Sequence, residues 1–384
     1  MRAVQRACES QPAVGDHDWP VGRFPRLVLR DSFVLGGVRI TVSDSTAPLT
    51  IIDIARLSGV SKSTVSRVLS GAESVSEDAR EKVMAAVQTS GFRRNDLARS
   101  LRSGRTGMIG LVIPDIANPF WADVARGAQD AAADENVSLL IFNSDWDPER
   151  ERRHLLALTQ SRVDGAIVNP VRDGLDEIAR FRIPLVLIGS SAERFPQLPS
   201  VGSDISQGVS IGLDRIVAAG LGMPALLVGD AERTARERFV AAVRSIGEVE
   251  GWPLDEMRLE DGHYTVDGGR AAMNRLLARD IPRVVFAAND LMALGALQAI
   301  RSSGLRCPED VALLGFDGVP AAEVSAPSLT TVAKPSREIG GRAFELLSKK
   351  IAGEPDVPKL SLPCALIERE TLPQPNYPRA VSTG

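Results

Sequence analysis

Residues 50–70 fit two short helices joined by a tight turn, with side chains suited to reading DNA. Apolar residues recur at the spacing of one helical turn on both sides of Gly59, first at Ile51, Ile54 and Ala55 and then at Val65, Val68 and Leu69. Ser61 is placed to cap the second helix. The outer face of that helix is left with Lys62, Ser63, Ser66 and Arg67. A helix with a packed back and a short polar front can enter a major groove, although a helical hairpin with a solvated charged face fits this segment too.

The length and the charge distribution of the whole chain are compatible with such a motif. The chain has 384 residues, enough for two or three units, and its apolar content of 44 % can supply sizeable cores. The net charge is −4, but residues 49–107 carry ten basic and six acidic side chains, a balance of +4 that leaves −8 elsewhere. A basic module on an acidic body indicates a phosphate-bearing partner at one end, and a merely well-solvated surface could also show this modest excess.

Several other classes of protein are disfavoured by composition. Cys8, Cys307 and Cys364 lie far apart without the spacing of metal ligands, so we predict free thiols, the last two in buried apolar positions, and no metal or cofactor. There is no run of 18 apolar residues and no apolar core of a secretory signal near the N-terminus, so we expect a cytoplasmic protein with no membrane partner.

A third helix is predicted over residues 76–90, with Glu77 and Asp78 near its positive end and Gly91 stopping it. We expect its inward face at Val83, Met84 and Val87.

The next segment is strongly basic and fits a helix of about seven residues that Asn95 can cap. So short a helix is marginal in water and needs other contacts to persist. Leu101 is its apolar member. It either packs against the body of the protein or acts as a wedge pushed between base pairs from the minor groove.

Beyond Gly107, short apolar runs alternate with helical stretches, which predicts parallel sheets covered by helices. The predicted strands are residues 108–113, 137–142, 165–168, 184–188, 225–228, 284–286 and 311–314. Most of them end in a polar residue or a glycine: Asp115, Asn143, Asn169, Gly189, Asp230, Asn289 with Asp290, and Asp317. Ligands of open α/β sheets bind outside the carboxyl ends of strands, so these side chains are candidates for a small polar ligand, although loops at strand ends are polar in any case.

Seven blocks of the chain resemble the LacI/GalR family of bacterial regulators, in one order within about residues 49–371. Besides the opening motif they are residues 75–83, 95–102, 113–121, 286–295, 314–320 and 328–332. The resemblance implies an all-α helix-turn-helix headpiece plus a hinge helix, followed by an α/β core of two subdomains like the periplasmic binding proteins, with parallel sheets.

The resemblance also implies boundaries. We expect an N-terminal extension over 1–48, a headpiece over 49–93, a hinge helix and linker over 94–107, a core over 108–373 and a tail over 374–384. Within the core, the N-subdomain would take residues 108–207 and 335–361, and the C-subdomain 208–334 and 362–373. The extension has no clear period, so it is either a mobile tail or a short ordered arm, unless translation starts later at a non-Met codon.

Residue roles carried over from the family fall into two sets. The DNA-binding set is Thr50, Lys62, Ser63, Ser66, Arg67, Ser70, Ser76, Asn95 and Leu101, with Arg67 matching the arginine that reads bases. The effector-binding set is Asn118, Phe120, Trp121, Asn169, Arg238, Tyr264, Asn289 and Asp317. For the aromatic members, core packing is the alternative role. Arg94 and Gly189 depart from the common pattern, Gly189 standing where some sugar-binding members carry an acid.

We therefore predict a transcriptional regulator, in the first place a repressor, that binds a palindromic operator as a homodimer. A small effector, expected to be a carbohydrate, would bind between the subdomains and control DNA affinity. A transporter's solute-binding protein would need a secretory signal and no headpiece. An enzyme is disfavoured because the three histidines lie far apart and no GxGxxG fingerprint occurs.

Overall fold

A computed structural model describes the greater part of the chain. The described residues are 34–35, 38–39, 49–69, 72, 74–92, 105–171, 183–189, 195–230 and 234–375. Of the predicted positions, Ser70, Arg94, Asn95 and Leu101 lie outside these residues, as do most of the predicted extension, hinge helix and tail. The contacts divide the chain into two units, residues 1–94 and 95–384.

The first unit holds a short antiparallel strand pair and a three-helix cluster. In chain order its elements are β1 (Val34–Leu35), β2 (Val38–Arg39), α1 (Ile51–Ser58), α2 (Lys62–Leu69) and α3 (Glu77–Ser90). The three helices close over a small core of Ile54, Val65, Val68 and Val83. The predicted apolar stripes therefore do bury together.

The helix ends follow the predicted signals. Gly59 ends α1 at a φ of +67°, a left-handed conformation that glycine adopts without steric cost. The hydroxyl oxygen of Ser61 accepts the backbone N–H of Thr64 at 3.1 Å, which confirms the predicted cap of α2. The prediction for Met84 is wrong, because its side chain is 52 % exposed. Met84 follows buried Val83 directly, about 100° further round the helix, which turns it to solvent.

The second unit alternates strands and helices. Residues 108–203 form β3 (Met108–Ile113), α4 (Pro119–Asp134), β4 (Ser138–Asn143), α5 (Pro148–Gln160), β5 (Gly165–Val168), β6 (Leu185–Ile188) and β7 (Ser200–Ser203). Residues 205–333 form α6 (Ile205–Ala218), β8 (Ala225–Val228), α7 (Thr234–Val249), a 3₁₀ turn (Leu254–Glu256), β9 (Leu259–Asp261), α8 (Val266–Arg279), β10 (Val284–Ala287), α9 (Asp290–Ser302), β11 (Ala312–Asp317), α10 (Ala321–Val324) and β12 (Thr331–Ala333). The chain then adds α11 (Ser336–Ala352), β13 (Lys359–Leu362) and β14 (Ala365–Ile367).

These strands build two six-stranded sheets, which we call the first and second lobes. The first lobe has the order β13-β7-β6-β5-β3-β4 and the second β14-β12-β11-β10-β8-β9. All neighbours are parallel except β12 and β14. The chain crosses between the lobes three times, after β7, after β12 and after β13. The predicted class, a helical headpiece followed by a two-subdomain α/β core, is confirmed.

Helices α4 and α11 pack against each other on the first lobe through glycines. A Cβ added at Gly340 would lie 1.9 Å from the backbone oxygen of Val124, and one at Gly127 would lie 1.9 Å from that of Arg337. Real Cβ atoms do not approach a backbone oxygen so closely, so the two helix backbones sit closer than any larger residue permits.

We predict that Gly340→Ala lowers the free energy of unfolding of the core by about 1–3 kcal/mol, because the helices must separate to make room for the methyl group. Thermal unfolding followed by calorimetry would measure the loss. Gly341→Ala is the matched control: its Cβ would meet nothing closer than the oxygen of Gly127 at 3.8 Å. Since alanine favours helix over glycine, the control should be neutral or stabilising by up to about 1 kcal/mol. Equal effects of the two substitutions would contradict this account of the packing.

Candidate DNA interface and ligand cleft

The outer face of α2 is the candidate DNA surface. Val65 and Val68 turn inward and are buried, whereas Lys62, Ser63 and Arg67 are exposed. This division places basic and hydroxyl side chains on one face of a helix that is anchored from behind. Such a face can donate hydrogen bonds to the O6 and N7 acceptors of guanine and to phosphates.

Three further members of the DNA-binding set lie among the described residues. Ser66 is half-buried on α2, while Thr50 and Ser76 are exposed just before α1 and α3. The hydroxyl of Thr50 donates to Asp53 at 2.7 Å, and its backbone N–H donates to the same carboxylate at 2.9 Å. These two bonds hold the pKa of Asp53 below its usual range and fix the first turn of α1.

The floor of the cleft between the lobes joins one predicted strand end, Asp317, to residues that follow β3 and β12. Asn118, which caps α4, accepts the N–H of Phe120 at 3.0 Å and hydrogen-bonds to Asp317 at the end of β11. A residue from the crossing after β12 completes the contact, since Nζ of Lys334 lies 2.7 Å from Oδ1 of Asp317. The carboxyl ends of strands from both sheets therefore meet here, as the rule for open sheets predicts.

A second carboxylate lies behind the floor. Asp290 is fully buried and accepts the backbone N–H groups of Gly318 and Val319, each at 2.8 Å, and the hydroxyl of Thr331 at 2.5 Å. Burial, and then the neighbouring charge of Asp317, raise the pKa of Asp290 to about 7. Burial also raises the pKa of Asp317, against the opposing effect of Lys334.

At the first-lobe wall of the cleft, the Asn169 side chain takes up the space beside Gly189. The Asn169 amide donates to the backbone oxygen of Ile188 at 2.8 Å. A Cβ at Gly189 would lie 2.4 Å from that amide nitrogen and 3.8 Å from the Trp121 ring, and Gly189 has a φ of +83°. The acid expected at this position in some sugar-binding members therefore has no room here. Trp121 is buried and meets Phe120 edge-on, with 4.9 Å between ring centroids.

On the second lobe, Asn289 caps α9 by accepting the N–H of Met292 at 2.9 Å, and its amide donates to the backbone oxygen of Tyr264 at 3.1 Å. Arg238 is half-buried in the early turns of α7. The structure thus brings Asn118, Phe120 and Asp317 together, groups Trp121 with Asn169, and ties Asn289 to Tyr264. Their binding roles stay predictions.

The described residues show no reactive thiol, no cluster of metal ligands and no membrane-spanning helix. Burial raises the pKa of Cys307 to about 12 and that of Cys364 to about 11, so both thiols stay protonated near neutral pH. Among the described residues, no group of three or more His, Cys, Asp or Glu side chains is arranged to hold a metal ion. No helix in that part of the chain is both long and apolar enough to cross a bilayer.

Comparison with known proteins decides the family. The family described as "Bacterial regulatory proteins, lacI family" matches residues 50–95, and the "Periplasmic binding protein-like domain" matches residues 210–372. The HTH-type transcriptional regulator DegA of Bacillus subtilis is 32 % identical over 329 residues, which cover 84 % of this chain and 97 % of that relative. The chain belongs to the LacI family.

Two further relatives extend the match. The ribose operon repressor of Halalkalibacterium halodurans is 32 % identical over 337 residues, covering 84 % of this chain and 96 % of the relative. The crystal structure of the lac repressor dimer bound to operator and the anti-inducer ONPF has a TM-score of 0.77 and 26 % identity, covering 85 % and 99 % of the two chains. This LacI-family chain is therefore a DNA-binding transcriptional regulator, and its named relatives are regulators rather than enzymes.

The sequence pointed to Tyr264, but not to its aromatic partner in the cleft of this LacI-family regulator. Trp146, just after β4, stacks across the cleft on Tyr264, just after β9, with 5.9 Å between ring centroids and 20° between planes. Both aromatic residues and the residues before them have positive φ angles: +50° and +58° at Asp145 and Trp146, +51° and +57° at His263 and Tyr264. Such backbone is costly for side-chain-bearing residues and persists only where the surroundings enforce it.

A polar side-chain contact secures each of these turns. Asp145 forms an ion pair with Arg150, and Nδ1 of His263 is hydrogen-bonded to the carboxylate of Asp230. The Tyr264 ring also fills the space beside Gly229, where a Cβ would overlap it at 1.8 Å. Matching edge strands of the two sheets thus present one aromatic ring each. The signal in the sequence was an aromatic residue three positions after the end of a strand in both lobes.

We predict that Trp146 and Tyr264 stabilise each other by about 0.5–1.5 kcal/mol across the lobes, the usual worth of an aromatic pair beyond its buried area. Unfolding free energies of the wild type, Trp146→Ala, Tyr264→Ala and the double variant give this coupling. Trp252 packs beside Gly247 within the second lobe, so Trp252→Ala combined with Tyr264→Ala should be additive. Additive effects for the Trp146 pair as well would show that the stack carries no energy.

A buried acid secures the loop after Asn169. Glu151 of α5 is 6 % exposed and accepts the backbone N–H of Val171 at 2.8 Å. Burial raises its pKa to about 7 from a model-peptide value of 4.5. Between pH 4.5 and about 7, Glu151 keeps a proton in the folded state that it has lost in the unfolded state. This group therefore makes the folded state less stable as the pH rises toward 7.

Glu151→Gln should remove that pH dependence, because glutamine keeps an oxygen for Val171 without ionising. We expect its stability relative to wild type to rise from pH 4.5 to pH 7 by up to roughly 3 kcal/mol, at 1.36 kcal/mol per pKa unit, and then to level off. Melting temperatures measured across pH 4.5–8 test this. Glu149→Gln, on the exposed side of the same helix, is the control without a rising difference. Parallel curves for wild type and Glu151→Gln would refute the assignment.

Proposed function

We propose that the chain is a homodimeric repressor that binds a palindromic operator and is controlled by a small effector. The observation that carries this proposal is the outer face of α2, where exposed Lys62, Ser63 and Arg67 oppose a buried apolar back. Similarity to a lac repressor dimer bound to operator supports the dimer and the palindrome, because a two-fold dimer matches two half-sites.

In this proposal each DNA residue has a physical role. Arg67 reads guanine through its two-pronged guanidinium, and Lys62 and Ser63 contact neighbouring base edges. Thr50, Ser66, Ser70 and Ser76 contact phosphates and fix the register. Asn95 caps the short hinge helix within the hinge and linker segment 94–107, and Leu101 enters the minor groove.

The effector would bind between the lobes against the predicted set of amide, aromatic and charged side chains. Three crossings allow the lobes to change their mutual angle on binding. The chain enters the first lobe at residues 105–107, where Asp164 accepts the N–H groups of Thr106 and Gly107 at 2.7 and 2.8 Å. This fixed start means that a lobe movement displaces the end of the linker. Coupling of about 1–3 kcal/mol between ligand and DNA is typical of such devices.

We also propose that the protein is not an enzyme and that it works in the cytoplasm, where the DNA lies. The amides of Asn118, Asn169 and Asn289 are engaged in helix caps and backbone bonds. Asp317 is paired with Lys334. These arrangements position groups for recognition rather than for proton transfer.

Arg67→Ala provides the test. An operator is first selected from random duplexes with the full-length wild type, and affinities are then measured for that operator and for a scrambled duplex. Loss of the guanine contact should cost about 1–3 kcal/mol on the operator. Binding to scrambled DNA should persist, because it depends on other charges.

Lys82→Ala is the matched control, since it removes one positive charge from α3, where Lys82 pairs with Asp78 at 2.7 Å. This control should keep its discrimination between the two duplexes. Undiminished discrimination by Arg67→Ala would refute the role of Arg67. Failure of the wild type to prefer any inverted repeat would overturn the proposed function itself.

A further inference from the structure

Lys334 already pairs with the carboxylate of Asp317, one of the residues predicted to bind the effector. Its Nζ lies 2.7 Å from Oδ1 of Asp317, with 16 % of the lysine side chain exposed against 4 % of the aspartate. Oδ1 itself is out of reach of solvent. The lysine is therefore the more accessible member of this pair.

The position of Lys334 follows from the sheet register. Asp317 pairs with Ala333 in the parallel ladder of β11 and β12, and the backbone N–H of Lys334 donates to the Asp317 carbonyl at 3.0 Å. The lysine thus leaves the ladder beside the aspartate, at the start of the crossing to the first lobe. Backbone hydrogen bonds of the sheet, rather than a flexible surface contact, therefore fix the position of Lys334.

Asp317 has little capacity left for a neutral ligand. Lys334 and the Asn118 amide both donate to its carboxylate. The remaining lone pairs belong to a side chain that is only 4 % exposed, so a sugar hydroxyl would have to enter this buried pair to reach them.

The ammonium group, in contrast, has donors to spare. A lysine carries three N–H groups, and Asp317 is the one acceptor seen for Nζ among the described residues. The rings of Phe120 and Phe316 lie 4.8 and 5.1 Å from Nζ and attract the charge without accepting conventional hydrogen bonds. A ligand oxygen with negative charge would supply the missing acceptor through a charge-assisted bond.

We propose that the cleft selects a small carboxylic acid, in the first place a sugar acid, over the corresponding neutral sugar, and that Lys334 binds its carboxylate. This inference rests on the proposed function, which places the effector between the lobes. A carboxylate is favoured over a phosphate because Lys334 is shared with Asp317, and one shared cation balances a single negative charge better than two.

Calorimetric titration of the full-length protein with paired compounds tests the inference. The panel is glucose with gluconate, glucuronate and glucose 6-phosphate, and galactose with galactonate, galacturonate and galactose 6-phosphate. At least one acid should bind about tenfold or more tightly than its neutral parent. Lys334→Met should weaken that acid by about tenfold to a hundredfold, the usual worth of a hydrogen bond to a charged group.

Lys349→Met is the matched control, because it removes the same charge from an exposed position on α11 and should leave the affinity unchanged. Melting temperatures show whether each variant folds. If Lys334→Met does not fold, Lys334→Gln replaces it, and the preference of the wild type for acid over neutral sugar tests the inference without any variant.

Tighter binding of neutral sugars or of sugar phosphates, binding of no acid in the panel, or equal acid affinity in the folded Lys334 variant would each overturn the inference. The operator selection described above is independent of these titrations. A wild type that binds its operator but prefers neutral sugars would refute the acid selectivity and leave the proposed function standing.

Discussion

The central constraint of the core is that parallel sheets gather the carboxyl ends of their strands at one edge, and this protein has two such edges turned toward each other. Two carboxylates, Asp290 and Asp317, end up buried where they meet. A buried charge is tolerated only when it is paired or well hydrogen-bonded. The backbone N–H groups of Gly318 and Val319 and the hydroxyl of Thr331 satisfy Asp290, and the ammonium group of Lys334 balances the charge of Asp317.

This solution ties the chemistry of the cleft to its mechanics. Asp317 belongs to the second lobe, Asn118 to the first, and Lys334 to a crossing between them, so one carboxylate holds three segments that must move relative to one another if the lobes change their angle. A buried pair loses most when a single partner is removed. The floor therefore behaves as a unit, and a molecule that exchanges contacts with Lys334 acts on both lobes at once.

The sequence predicted the helical headpiece well and the central strands nearly as well, because buried strands and amphipathic helices leave clear periodic signals. Strands β7, β9, β12, β13 and β14 escaped prediction. They are three or four residues long, several are only partly buried, and segments such as Ser200–Ser203 carry small polar side chains that resemble a loop. Met84 was misplaced because a stripe of adjacent apolar residues does not reveal which one faces inward.

The cleft was predictable only in part, for reasons that lie in three-dimensional pairing. Asn169, Asn289 and Asp317 could be found because polar residues after strands share a sheet edge, whereas Asn118 followed only from the family resemblance. Lys334 could not, since its partner lies on a neighbouring strand and only the ladder register brings the two together. Trp146 was hidden because its orientation depends on a left-handed backbone that non-glycine residues seldom adopt. Both residues make contacts between the lobes, and such contacts leave no period in the chain, so a linear pattern of residues does not reveal them.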